Sequence, residues 1–225
     1  MSTSIQDIKP AGSDPFAIAT RQLLAEAGVV SIGINGGPGC GKTSLIEASI
    51  KELKPEIHVG VVTCDIASHV DAERMLHSSD QVVQVTTGQQ SAPTAAQINE
   101  AMHHLDLEKI DLVFIENIGT LVYPSRLDLG QDLTAVLFSV AGGHDKPSKH
   151  PEMVASADVV ILNKSDLLYA VPFDLPAFRA DVRRLNPAAD LIELSALHGQ
   201  GVIQWLTWLR VRMKKHPSTT SHWFG

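Results

Sequence analysis

Two cysteines in 225 residues build no disulfide framework, and no apolar run approaches the roughly 18 uninterrupted residues that a membrane-spanning helix needs. The amino terminus carries neither a basic n-region nor an apolar h-region, so the expected compartment is the cytoplasm, where two free thiols are at home. Basic residues number 18 against 25 acidic ones, for a formal net charge of −7, and they are dispersed. No stripe is offered to nucleic acid or to an anionic membrane. No internal repeat divides the chain. What remains is a composition with 44% hydrophobic and 19% charged residues, that of one globular α/β domain. The expected organisation is a polar, flexible arm over residues 1–14, a domain over 15–215 and a short tail over 216–225.

The domain is organised around residues 29–44, VVSIGINGGPGCGKTS. A short apolar run reads as a buried strand, and Gly36, Gly41, Lys42 and Thr43 complete G-x-x-x-x-G-K-[ST]. Glycines at this spacing let successive backbone N–H groups turn toward phosphate oxygens, and a helix opening at Lys42 adds its positive end. The expected contacts to a nucleotide run through Gly37, Gly39, Cys40, Gly41, Lys42, Thr43 and Ser44. Lys42 is placed to pair the β- and γ-phosphates, and the Thr43 hydroxyl to ligate Mg²⁺. The following segment is an amphipathic helix with Leu45, Ile46, Ile50 and Leu53 on its apolar face.

Three further strand ends carry chemistry. Residues 57–63 read as a second strand ending in Cys64 and Asp65, where a carboxylate can hold Mg²⁺ through water, position a lytic water, or cap a helix. Residues 111–115 form a strongly apolar strand ending in Glu116, the Walker B position, with Gly119 suited to a backbone that senses the γ-phosphate. Lys42, Asp65 and Glu116 are thus the catalytic candidates, and Thr43, Asp65 and Glu116 the metal candidates. Residues 159–162 end in Asn163-Lys164-Ser165-Asp166. A carboxylate at Asp166 accepts both the N1–H and the N2–H₂ of guanine, a pair of donors adenine lacks; Asn163 can reach the O6 and N7 side, and the Lys164 stem can cover the ring. The bound nucleotide is therefore expected to be GTP or GDP. The backbone of Ser195 and Ala196, after a last strand over 190–194, is placed to contact the guanine edge.

The other elements frame this site. Helices are expected over 15–27, with Phe16, Ile18, Ala19, Leu23 and Leu24 covering the sheet, over 94–105, 175–185 and 202–213. Strands are expected over 81–86 and 133–141, with a loop over 142–147. Residues 65–79 lie where a nucleotide-sensing switch would be, as a solvated loop or helix. His103 and His104 read as surface residues, because adjacent helical positions diverge by about 100°. Trp205 and Trp208 read as packing anchors.

Four segments carry a resemblance: residues 37–43 (GPGCGKT), 71–75 (DAERM), 116–124 (ENIGTLVYP), and the set from Asp128 through Asp145-Lys146-Pro147 to ADVVILNKSDLL at 157–168. Over roughly residues 15–213 the chain resembles the HypB family of nickel-incorporation GTPases, within the class that includes the urease accessory GTPase UreG. The resemblance implies a P-loop NTPase fold with a mostly parallel sheet flanked by helices. It also implies Mg²⁺-dependent GTP hydrolysis, slow without a partner, a GTP-dependent homodimer, and a client metalloenzyme or another accessory protein as partner. Family members carry Thr-Gly-x-x-Cys-His after the short strand, and a Cys before the Pro of the Walker B segment, as ligands to metal between subunits. Here the equivalents are Ser91, Ala92 and Tyr123, which supply no thiolate or imidazole. The resemblance leaves open a metallochaperone, a GTP-gated chaperone that touches no metal, and a transition-metal site rebuilt from Cys40, Cys64 and a histidine such as His69.

Overall fold

The computed structural model describes residues 14–54, 56–66, 70–76, 78–88, 90, 92–119 and 128–215. The arm up to residue 13, the tail 216–225, and His69, Ser91 and Tyr123 lie outside the described residues. Seven strands are present: β1 (Val30–Gly36), β2 (Val59–Asp65), β3 (Gln81–Thr86), β4 (Leu112–Glu116), β5 (Leu133–Ser139), β6 (Val159–Asn163) and β7 (Asp190–Glu193). They form one sheet in the order β3-β2-β4-β1-β5-β6-β7, and every pair is parallel. Parallel strands need crossovers, and these put helices on both faces, so the central strands read as continuous apolar runs. All five β4 positions and all seven β1 positions are buried.

The described residues also form eight α-helices, α1 (Pro15–Ala27), α2 (Lys42–Leu53), α3 (Val70–Leu76), α4 (Ala95–His103), α5 (Lys146–Lys149), α6 (Pro151–Ala155), α7 (Leu175–Leu185) and α8 (Val202–Lys215), and three short 3₁₀ helices. One face of the sheet packs on α2, Met75 of α3 and α8; Ile32, Ile34, Val61 and Phe114 meet Leu45, Ile46, Ile50 and Trp205 there. The opposite face is shared. Val62, Val113 and Ile115 pack with Leu24, Ile98 and Met102 from α1 and α4. Val136, Phe138 and Val160 pack with Met153, Phe178 and Val182 from α6 and α7. Among the described residues no helix is long and apolar enough to cross a membrane.

The expected apolar face of α2 is the buried one, and both tryptophans are anchors. Trp205 is fully buried with its indole N–H donating to Ser49 Oγ at 2.8 Å, and Trp208 stacks on it with ring centroids 5.5 Å apart. Helix α1 meets expectation at Leu23 and Leu24, which pack on the sheet, and differs at its start. Phe16 and Ile18 are 48% and 41% exposed, and the buried positions are Ala17, Thr20 and Leu24. The inward face was chosen by contacts that periodicity does not show: Arg21 pairs with both oxygens of Asp128 at 2.6 and 2.9 Å, and Thr20 Oγ1 accepts from Asn99 Nδ2. Gly130 comes so near α1 that a Cβ there would lie 2.6 Å from the Ala17 carbonyl. Asp14, placed in the arm by the sequence, is the N-cap of α1. The stretch expected as a loop over 142–147 is a 3₁₀ turn over Val140–Gly142 followed by α5. The strand expected over 57–63 lies at Val59–Asp65, which places Asp65 inside it.

Candidate functional site

The site is assembled at the carboxyl edge of the sheet. Chain leaving β1 makes a turn with Gly39 at φ +67° and Gly41 at φ +96°, left-handed conformations that favour glycine. Helix α2 then starts with Gly41 as its N-cap and no side-chain capping bond. Glycine at the N-cap in place of a Ser, Thr, Asp or Asn costs only about a few tenths of a kcal/mol. Burying Leu45, Ile46, Ile50 and Leu53 contributes on the order of 1.5–3 kcal/mol each, so packing holds the helix while its first N–H groups stay uncapped by any side chain. Lys42 is buried and arches back, its Nζ donating to the Gly36 carbonyl at 3.3 Å.

Glu116, at the end of β4, is buried, and Thr43 Oγ1 donates to its Oε1 at 2.6 Å. Hydroxyl and carboxylate thus meet as an all-oxygen donor set, the kind that suits a hard cation such as Mg²⁺, so these residues fit the metal that the sequence suggested. Gly119 closes over the loop: a Cβ there would lie 3.2 Å from both Lys42 Nζ and Pro38 Cα. Asp65 ends β2 two positions beyond Thr63, the register partner of Glu116. Strand alternation therefore turns Asp65 to the same face of the sheet as Glu116, and its carbonyl accepts from the Thr87 N–H at 2.9 Å.

The Asn163-Lys164-Ser165-Asp166 stretch leaves β6 beside the phosphate loop. Asn163 Nδ2 donates to the Cys40 carbonyl at 2.9 Å, and its Oδ1 accepts from the N–H of Lys164 at 2.7 Å and of Ala196 at 3.0 Å. Oδ1 is thereby saturated, and one Nδ2–H is left for an acceptor such as guanine N7. Lys164 takes the left-handed conformation, φ 59°, the one positive φ outside glycine among the described residues. Such a backbone costs roughly 1–2 kcal/mol and is kept where its surroundings hold it. It turns the chain so that Asp166 lies in the first turn of a 3₁₀ helix, Ser165–Tyr169, with its side chain 27% exposed, and His198 Nε2 stands 3.8 Å from Asp166 Oδ2. Ser195 is buried, and its Oγ accepts from the His198 N–H at 3.3 Å. Ser44 and Ala196 line a common groove of about 670 Å³ with Glu47, Arg74, Leu197 and His198.

Direct contacts therefore join Cys40, Lys42, Thr43, Glu116, Asn163 and Ala196 in one constellation. Cys40 and Cys64 are not joined: both are buried, Cys40 among the α2-side residues and Cys64 among those of α1 and α4. Burial pushes both thiols up, that of Cys64 to about 12, with the Glu116 charge adding to the effect. Among the described residues no group of three or more His, Cys, Asp and Glu could hold a metal ion. His103 and His104 are exposed, as expected. Sequence reasoning missed the hydrogen bonds that commit Asn163 to the protein, the His198 neighbour of Asp166, and a buried amide pair in which Asn117 Nδ2 donates to Asn35 Oδ1. Only Asn117 gave a signal, standing next to the Walker B acid.

A glycine turn feeding a helix at the carboxyl edge of an all-parallel sheet, with an acid on the adjacent strand bonded to the threonine after the lysine, defines a P-loop NTPase. Residues 30–193 match the CobW/HypB/UreG nucleotide-binding domain. The probable hydrogenase maturation factor HypB of Methanocaldococcus jannaschii is 36% identical over 200 residues, 89% of this chain and 90% of that protein. The crystal structure of the hydrogenase maturation factor HypB from Archaeoglobus fulgidus superposes with a TM-score of 0.82 at 34% identity, covering 88% of this chain and 97% of the other. HypB from Helicobacter pylori, solved in complex with nickel, gives 0.84 at 29% identity, covering 88% and 94%. The chain belongs to the CobW/HypB/UreG family.

Proposed function

We propose that this protein is a Mg²⁺-dependent GTPase that converts GTP to GDP and phosphate and assists the maturation of a metalloenzyme in the cytoplasm. The observation that carries the reading is the Asn163 amide seated on the Cys40 carbonyl, which makes the phosphate loop and the base-reading stretch one rigid unit. Gly37, Gly39, Cys40, Gly41 and Ser44 cradle the phosphates, Lys42 neutralises the β- and γ-oxygens, and the Asp166 carboxylate accepts from guanine while Lys164 covers the ring. Ser195 and Ala196 form the wall at the base edge. Thr43 and Glu116, with Asp65 on the same face, hold Mg²⁺; when bound, Mg²⁺ neutralises charge that develops on the phosphate oxygens. Glu116 or Asp65 orients the lytic water. Gly119, packed over Lys42, moves when the γ-phosphate leaves and passes the change to the chain that follows it. Turnover is slow until a partner completes the site, and two copies associate across the nucleotide face in the GTP state.

The test is nucleotide hydrolysis and binding in three proteins. Wild type hydrolyses GTP, Lys42→Ala does not, and Asp166→Asn shifts preference from guanosine to xanthosine nucleotides. Unchanged guanine preference in the Asp166 variant would remove the base-recognition assignment.

A second reading is a GTP-gated chaperone for a client enzyme that binds no transition metal itself. The residues Ser91, Ala92 and Tyr123 favour it, since they stand where the family's Cys and His ligands are expected. Calorimetric titration of Ni²⁺, Zn²⁺ and Co²⁺ with GDP and with a non-hydrolysable GTP analogue, followed on a sizing column, separates the two. Nucleotide-gated dimers with stoichiometric metal support metal delivery. Dimers without metal support the chaperone. A rebuilt site on Cys40 and Cys64 requires that replacing both by serine abolish metal binding.

A further inference from the structure

Thr63 is 2% exposed, and among the described residues its hydroxyl has no hydrogen-bond partner. A buried hydroxyl forfeits its bonds to water, so a position serving only to pack would be filled equally well by valine. Its place in the sheet is specific. Thr63 is the register partner of Glu116 on the neighbouring strand, and Val59 and Val61 of β2 lie with Leu112 and Phe114 of β4 in the core layer beneath α2. Alternation continues that face to Thr63 and Glu116, which stand side by side about 4.8 Å apart along the hydrogen-bonding direction, on the side where Thr43 donates to Glu116.

We propose that Thr63 is a positioning residue of the metal–nucleotide site, its hydroxyl holding a water molecule bound to Mg²⁺ beside Glu116. This rests on the reading of Thr43, Glu116 and Asp65 as the Mg²⁺ residues and adds a hydroxyl to them. Threonine serves because a hydroxyl both donates and accepts, so it can bond a metal-bound water on one side and a carboxylate on the other. Its β-branch also suits a buried strand and restricts χ1, which limits the directions in which the hydroxyl can point. Ordered waters fix Mg²⁺ in most nucleotide sites because the ion gives up its hydration reluctantly, so the groups that hold those waters set its affinity.

The experiment measures the affinity of a fluorescent GDP analogue with Mg²⁺ and in EDTA, for wild type, Thr63→Val and Thr63→Ser. The ratio of the two affinities is expected to fall roughly five- to tenfold in Thr63→Val, the worth of one hydrogen bond, and to be retained in Thr63→Ser. Thr63→Val is also expected not to lower the melting temperature of the ligand-free protein, since the hydroxyl it removes has no hydrogen-bond partner among the described residues. An unchanged ratio in Thr63→Val, or an equal fall in both variants, overturns the role of the hydroxyl while leaving the GTPase reading in place. A wild type whose nucleotide affinity is indifferent to Mg²⁺ overturns both.

Discussion

The side-chain amide of Asn163 donates to the carbonyl of Cys40 at 2.9 Å across 123 positions of sequence, and its oxygen accepts from Ala196 at 3.0 Å. One buried side chain thus ties the glycine turn to the two segments proposed to flank the base. Asn163→Ala is expected to weaken GDP binding at least tenfold, because it removes three hydrogen bonds and strands the N–H of Ala196, each lost bond to a buried group costing about 1–3 kcal/mol. Equilibrium binding of labelled GDP checks this. A variant within twofold of wild type would mean that the loop is held by its own backbone.

Gly41 meets the same amide from the other side. A Cβ at Gly41 would overlap Asn163 Nδ2, and its φ of +96° is one that alanine adopts only under strain. Gly41→Ala is therefore expected to abolish measurable nucleotide binding and to lower the melting temperature. Gly39→Ala is the informative comparison, since among the described residues beyond its chain neighbours no atom lies within 4 Å of the corresponding Cβ, and its φ of +67° is what opposes the change. It should keep more affinity than Gly41→Ala.

The anchor of α8 can be tested without touching the site. Trp205 Nε1 donates to Ser49 Oγ at 2.8 Å inside the core, and that Oγ donates to the Leu45 carbonyl at 2.6 Å. Ser49→Ala leaves an indole N–H buried without an acceptor and is expected to cost about 1–3 kcal/mol, while Trp205→Ala opens a cavity and costs about 3–5 kcal/mol. Trp205→Phe with Ser49→Ala should cost less than the sum of the two single changes, because the second change no longer orphans a donor. Urea denaturation of the four variants gives the numbers, and strict additivity would show that the hydrogen bond contributes nothing.

Most of the sheet was legible because its strands are covered on both faces and so appear as unbroken apolar runs ending in polar residues. Phosphate loop, Walker B acid and Asn163–Asp166 stretch were legible because each needs fixed residue types at fixed spacing. The face of α1 was legible at Leu23 and Leu24, which pack on the sheet, but not at its start. Phe16 and Ile18 are bulky and apolar, yet the inward side there was settled by the Arg21–Asp128 pair and the close approach of Gly130, both long-range. Asn163 was read for what it offers a ligand, and the partners that saturate Oδ1 come from residues remote in sequence. Thr63 was invisible for a different reason: inside an apolar strand a threonine looks like a valine until the register sets it beside Glu116.

Asp158 gives a pH dependence independent of the nucleotide. It precedes β6, and its Oδ2 accepts from the Thr134 N–H at 2.8 Å. Burial holds its carboxyl above the ordinary range, outweighing that hydrogen bond and the attraction of Arg212. Between the ordinary carboxylate pKa and the raised one, the folded protein binds more protons here than the unfolded chain does. The contribution of Asp158 to stability is thus fully present below the ordinary value and declines as pH rises through the raised one. Asn keeps an acceptor for Thr134 and carries no charge. Asp158→Asn should therefore gain stability relative to wild type as pH rises from acid toward neutrality, with the two nearest at the acid end. Urea denaturation across that range is the measurement. A difference that stays constant with pH would show that Asp158 titrates alike in both states, and one that shrinks toward neutrality would show that Thr134 and Arg212 outweigh burial.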